Sequence, residues 1–115
     1  MTLTFLLNYQ AQWGQQLAVL YAADADIATA SPVTLPMDCH GNSEWSAQVT
    51  LSDIHKYISY CYVVLDEQGN ILRRESIPHF LECQPGNVVL RDFWQDKSSS
   101  LFASKVFSQV LFAHR

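Results

Sequence analysis

The chain has few positive charges: seven Lys or Arg stand against eleven Asp or Glu, for a formal charge of -4. The only adjacent basic pair is Arg73-Arg74. Nothing here builds a phosphate-tracking surface, so nucleic acid is excluded as a partner. Long apolar runs are also missing. None approaches the roughly 20 residues needed to span a bilayer, and Met1-Thr2-Leu3 lacks the charged start of an export signal. No membrane partner is expected. Cysteine is sparse and odd in number, with Cys39, Cys61 and Cys83 widely spaced. That pattern suits neither a disulfide framework nor a paired-cysteine zinc site, and points to a reducing, cytoplasmic setting. Recognised catalytic signatures are absent too: no glycine-rich phosphate loop, no His-Glu-x-x-His and no Gly-x-Ser-x-Gly. No catalytic residue, metal ligand or cofactor is assigned.

What remains is apolar surface arranged for strands. Hydrophobic residues make up 49% of the 115 and charged ones only 16%, enough for one core and too much for disorder. Leu3, Phe5, Leu7 and Tyr9 alternate with Thr4, Asn8 and Gln10, the period of a half-buried strand, with Leu6 breaking the pattern. After Gln12-Trp13-Gly14, the run through Leu17, Val19 and Tyr21 reads as a second strand returning antiparallel to the first. Residues 22–36 are rich in Ala, Asp, Ser, Thr and Pro and read as a surface connection. Glu44 to Ser52 alternates cleanly, with Trp45, Ala47, Val49 and Leu51 on one face. Tyr57 to Leu65 is apolar on both faces, as a central strand must be, and the turn residues Asp66 to Asn70 hand it to a partner from Ile71 onward. Short pieces follow around Phe80 and from Asn87 to Leu90. The sum is an all-β fold, an antiparallel, immunoglobulin-like β-sandwich of about seven strands.

Residues 1–95 form the predicted sandwich, and 96–115 a connector. The polar stretch Asp96 to Ser100 opens that connector, and its apolar pairs Leu101-Phe102, Val106-Phe107 and Val110-Leu111-Phe112 leave helix and extended chain open. The scattered carboxylates Asp24, Asp26, Asp38, Asp53, Asp66, Glu67, Glu75 and Glu82 read as solvated surface charges. Cys39-His40 with His79 makes an imaginable nucleophile and base, but no third residue is indicated to orient them. Among aromatics Trp13 stands out, because it sits at a turn beside Gly14. Its position alone favours covering the sandwich over binding a ligand.

In order and spacing these pieces resemble a family 20 carbohydrate-binding module, a starch-binding β-sandwich attached to amylolytic enzymes. The features are Phe5, Trp13-Gly14-x-x-Leu17-x-Val19, Trp45-Ser46-Ala47-x-Val49-x-Leu51, Tyr60-x-Tyr62-Val63-Val64 and Asn70-x-x-x-x-Glu75, spanning about Leu3 to Trp94. With Arg73-Arg74-Glu75, Leu90 to Trp94 and the apolar tail, the chain is similar to the first of two such modules that precede the catalytic barrel in long 4-α-glucanotransferases. The resemblance implies a non-catalytic module that binds starch or maltodextrin and tethers an enzyme to it, with the second module and the barrel as neighbours. The alternative is a docking or dimerisation module that has lost its sugar.

By resemblance, Trp13 and Trp45 match aromatics of the family's second glucan site. The Cys39 to Asn42 loop falls where another aromatic of that site lies, with His40, Asn42 or Glu44 available for hydrogen bonds. The first site's loop tryptophan, strand lysine and second tryptophan are replaced by the Ala22 to Pro32 stretch, Cys61 and Arg74. What carries over is a reduced second site. A small hydrolase on a sandwich would need converging polar groups of shifted pKa that the sequence does not display. An extracellular immunoglobulin-like domain is opposed by the missing export signal and disulfide.

Overall fold

The computed structural model describes residues 1–29, 31–41, 43–52 and 54–95, together with the backbone of Gln109–Phe112. Among these residues the fold is all-β, with ten strands in two sheets: β1 (Thr2–Asn8), β2 (Gln16–Ala23), β3 (Val33–Pro36), β4 (Asp38–Cys39), β5 (Glu44–Thr50), β6 (Tyr57–Leu65), β7 (Ile71–Arg74), β8 (His79–Glu82), β9 (Asn87–Phe93) and β10 (Gln109–Phe112). The first sheet runs β10-β9-β1-β5-β4 and the second β3-β2-β6-β7, with β8 also pairing β6. Among the described residues no helix is long and apolar enough to cross a membrane. Most of the proposed connector, residues 96–108 and 113–115, lies outside the described residues; Gln109–Phe112 runs antiparallel along β9.

The expected alternation sets the layers. Leu3, Phe5 and Leu7 of β1, Trp45 and Ala47 of β5 and Val88 and Leu90 of β9 face Leu17, Val19 and Tyr21 of β2 and Ile58, Tyr60, Tyr62 and Val64 of β6 across one core. Leu6, the break in the pattern, stands half-buried on the outer face of β1. The strand count exceeds the expected seven because short edge pieces pair as well. Pro32 and Pro36 do not keep the Ala-rich stretch out of the sheet: β3 sits at the edge of β2, where a missing N–H costs little.

Two pairings depart from the sequence reading. β1 and β2 are not a hairpin; they lie in different sheets, and the segment between them crosses one end of the sandwich. Period two says that a run is a strand and says nothing about which sheet it joins. In addition, β1 pairs β9 in parallel, Thr2 opposite Asn87 through Asn8 opposite Phe93.

β6 is buried on both faces, as its composition predicts. On its outer side Ala18, Leu20, Cys61 and Val63 pack with Ile27 in a second apolar cluster. Ser59 clips that cover in place: its hydroxyl accepts from the Ile27 N–H and donates to the Ala25 carbonyl, each at 2.6 Å. Asp24, at φ 54°, fixes the start of the same loop by accepting from the Lys56 and Tyr57 amides at 2.7 and 3.2 Å.

The core also holds charge. Between β7 and β8, β6 loses its strand neighbour, and Glu75 takes that place: its N–H donates to the Tyr62 carbonyl at 3.1 Å and its Oε1 accepts from the Tyr62 N–H at 2.8 Å. Glu75, read from sequence as a surface charge, is therefore buried, and so are His79 and Asp92. His79 Nε2 donates to the Glu75 carboxylate at 3.0 and 3.1 Å, and its ring stacks on Tyr60 at 4.8 Å. Asp92 Oδ2 accepts from the Tyr60 hydroxyl at 2.9 Å and the Tyr62 hydroxyl at 2.5 Å, while Oδ1 lies 4.0 Å from His79 Nδ1. These contacts join β6, β9 and the β7–β8 link in one buried polar network.

Burial pushes the Glu75 carboxyl above its ordinary 4.5. Burial alone would disfavour the His79 cation, but its hydrogen bond to Glu75 and the charges of Glu75 and Asp92 outweigh that and raise it above 6.5. Both groups bind protons more tightly folded than unfolded, so their contributions fall as pH rises. The His79 contribution is full below pH 6.5 and is lost as pH climbs through its raised folded value. Melting temperature should therefore decline with pH from about 6.5 upward, and His79→Gln should flatten that slope while lowering stability at pH 6. Calorimetric scans of both proteins between pH 6 and 8 measure it; an unaltered slope in the variant would remove His79 as the source.

Candidate functional site

The link from β1 to β2 builds the most exposed aromatic among the described residues. Gln15 N–H donates to the Gln12 carbonyl at 3.0 Å, closing a turn with Trp13 and Gly14 at its centre. Gly14 takes φ +84°, the left-handed backbone that the third residue of such a turn requires. The Gln15 side chain folds back, its Oε1 accepting from the Gln12 N–H at 2.8 Å. With the turn closed on itself, Trp13 projects outward and is 100% exposed. It covers nothing, contrary to the role its turn position suggested.

Beside it lies a shallow hollow of about 590 Å³ lined by Gln12, Trp13, Gln15, Cys39, Trp45 and Glu67. Trp45 is only 7% exposed and belongs to the core. Its Nε1–H donates to the Tyr9 carbonyl at 3.0 Å, which holds the start of the Trp13 link against the sandwich. Tyr9 in turn packs on Trp94 at 4.9 Å between ring centres, and the Arg73 guanidinium lies 4.6 Å from the Trp94 ring and donates to the Tyr9 hydroxyl at 2.9 Å. Sequence reasoning placed Tyr9 in the core and left Arg73 unassigned. Their pairing bridges Tyr9 and Arg73 across 64 positions, and no local pattern signals it.

Glu67 reaches the hollow from the β6–β7 turn. Asp66 shapes that turn, its Oδ1 accepting from the Gln68 and Asn70 amides at 2.9 and 2.8 Å. Those hydrogen bonds, the Asn70 amide foremost, hold its carboxyl below the ordinary 3.8. The Glu67 carboxylate sits so close to Gly14 that a Cβ there would lie 2.7 Å from Oε1.

The other sequence candidates fall elsewhere. Asn42 lies outside the described residues. His40 is exposed, with Nε2 2.5 Å from the Ser46 hydroxyl. It lines a separate cleft of about 290 Å³ with Glu44, Asn8, Arg91 and Phe93, and Trp45 touches both depressions. Trp13 and Trp45 thus share one hollow, while His40 and Glu44 stand on the other side of Trp45. His79, imagined as a base, is the core residue that holds Glu75. Among the described residues, no group of three His, Cys, Asp or Glu is placed to hold a metal ion.

No protein-family model matches the chain. It is 34% identical over 128 residues to a 4-alpha-glucanotransferase from Oryza sativa subsp. japonica, across 96% of its own length and 13% of that protein. The chain is homologous to a stretch of that enzyme. Among solved structures, the Glycoside Hydrolase Family 15 glucoamylase from Hypocrea jecorina superimposes with a TM-score of 0.61, over 83% of this chain and 17% of the glucoamylase. At 21% identity that likeness establishes a shared fold.

Replacing Gly14 tests how the turn holds Trp13. The nearby Glu67 carboxylate is the mobile end of a side chain and can swing aside, so the cost of Gly14→Ala lies in the backbone. We expect a loss of about 1 kcal/mol, the usual penalty for a side chain at left-handed φ, measured by urea unfolding. A neutral effect would mean that the turn relaxes to another geometry.

Proposed function

We propose that this chain is a non-catalytic α-glucan-binding module, of the family 20 kind, that works as part of a 4-alpha-glucanotransferase. The observation that carries the reading is the fully exposed Trp13 ring, held out by a closed turn beside a hollow edged with polar side chains. An α-glucan presents an apolar C–H face ringed by hydroxyls, so it needs an aromatic plane and a few donors and acceptors at the rim. Trp13 supplies the plane. Gln12, Gln15 and Glu67 supply the rim, and Trp45 is the fixed wall behind it. Homology to part of a 4-alpha-glucanotransferase supports the substrate class, and the shared sandwich with a glucoamylase is in keeping with it.

An open platform makes few rigid contacts, so binding is weak, about 4 to 6 kcal/mol, or millimolar to tens of micromolar. Weak binding suits a tether. The module raises the local concentration of maltodextrin near a catalytic domain on the same polypeptide. The setting is cytoplasmic, in keeping with three cysteines that all remain free thiols.

One observation favours the docking alternative: every residue of the edge strand β7 is exposed, Ile71 and Leu72 among them. The two readings separate in one titration. With linear maltodextrin followed by tryptophan fluorescence and calorimetry, Trp13→Ala should weaken binding at least about tenfold, the loss expected for an aromatic stacking surface. Its melting temperature should stay within about 1 °C, because a fully exposed ring supports nothing. Absence of saturable binding in the unmodified chain at millimolar sugar would favour docking instead.

A further inference from the structure

The outer face of the first sheet carries a second feature that the Trp13 site does not use. Side chains at even positions of β1 and odd positions of β9 point away from the core, and the register sets them in rows. Phe93, Asn8 and Glu44 form one row across β9, β1 and β5; Arg91, Leu6 and Ser46 form the next. Three strands span about 10 Å, the width of a pyranose ring with its hydroxyls. The result is the cleft of about 290 Å³, with half-buried Leu6 as floor, half-exposed Phe93 and Arg91 on one flank, and Glu44 and His40 on the other.

We propose that this cleft is a second glucan contact, in which a neutral sugar ring rests on Leu6 and Phe93 and hydrogen-bonds to Asn8, Glu44 and Arg91. The occupant follows from the chemistry of the lining. Asp92 also borders the cleft but is buried, with Oδ2 held by Tyr60 and Tyr62; of the exposed lining, Glu44 and Arg91 carry opposite formal charges on strands flanking β1, so its open side favours neither an anion nor a cation. It offers a carboxylate acceptor, a guanidinium fork of donors and an amide that does both, the set that vicinal hydroxyls satisfy. Phe93 gives the apolar sugar face a ring to lie against. This inference rests on the glucan-binding reading above and extends it. Trp45 borders both depressions, so one glucan chain passing beside it engages Trp13 at one end and Phe93 at the other. Two linked contacts would make affinity rise with chain length.

The test titrates the full chain with maltose and with maltoheptaose, reading backbone and Asn8 side-chain amide shifts by NMR and affinity by calorimetry. Maltoheptaose should shift amides around both Gln12–Gln15 and Asn8, Glu44 and Arg91. Phe93→Ala should weaken maltoheptaose about tenfold, the loss of one of two linked contacts, and leave the Trp13-centred binding of maltose unchanged. Arg91→Gln should act in the same direction and replaces Phe93→Ala if that variant melts early. Shifts confined to the Trp13 turn, with both variants binding maltoheptaose normally, would overturn the second contact and leave the first standing. No shift anywhere at millimolar sugar would overturn both.

Discussion

The structure depends on a carboxylate standing where a strand should be. β6 is the spine of the second sheet, buried on both faces, and its backbone polar groups must be satisfied along its whole length. β7 and β8 each pair with a part of it, and Pro78 belongs to the segment that breaks between them. Glu75 closes that gap by presenting both an N–H and a side-chain oxygen to Tyr62, so the ladder continues without a strand. A buried carboxylate is costly alone. His79 and the Gln95 amide, which donates to Oε2 at 2.7 Å, make it tolerable. His79 brings in the hydroxyl-bound carboxylate of Asp92, and through Asp92 the second sheet is tied to β9 of the first. Removing one member therefore exposes the others' desolvation cost, which is why such networks fix one arrangement of the sheets.

That arrangement decides where the exposed aromatic goes. Because β1 and β2 belong to different sheets, their link has to travel across the end of the sandwich, and its turn stands exposed there. The inner part of the link is secured by Tyr9, between the Trp45 indole, Trp94 and Arg73. The outer part is held by the Gln12–Gln15 turn. Stability and exposure are thus divided along seven residues of chain, Tyr9 for one and Trp13 for the other. On the proposed glucan-binding reading, such a platform would take a ligand without ordering any backbone, which lowers the entropic cost of weak binding.

The strands were legible in the sequence because alternation is a local signal. β1, β5 and β6 each show which residues face the core, and the structure turns the same sets inward, with Tyr9, Val49 and Leu51 only partly buried at the margin. Sheet membership was not legible, since the antiparallel return after Gly14 and the actual cross-sheet passage share the same residues. The buried network was hidden for a different reason. Glu75, His79 and Asp92 are residue types that belong on surfaces, and beyond the Glu75–His79 pair itself it is partners 13 to 32 positions away that make them core residues. Trp13 was visible as an anomaly, a large ring at a turn, but its exposure depended on whether another element passed over it. Asp66 and Asn70 were read correctly as turn residues, yet nothing local indicated that the turn would deliver Glu67 to the flank of Gly14.

Trp45 packs in the core and also borders both depressions, and it does so with 7% of its surface exposed. Its indole is buried in the core and hydrogen-bonded to the Tyr9 carbonyl, so it has no freedom to follow a ligand. That rigidity is useful at a wall between two depressions, because a fixed divider keeps the hollow at Trp13 and the cleft at Phe93 in constant register. A weak binder gains little from one strong contact and much from several weak ones at fixed spacing, since each added contact works at the effective concentration set by the last. On this sandwich the spacing is set by the sheet itself. The strands hold Asn8, Glu44 and Phe93 in one row, and the same β1 that presents Asn8 runs on into the link that presents Trp13.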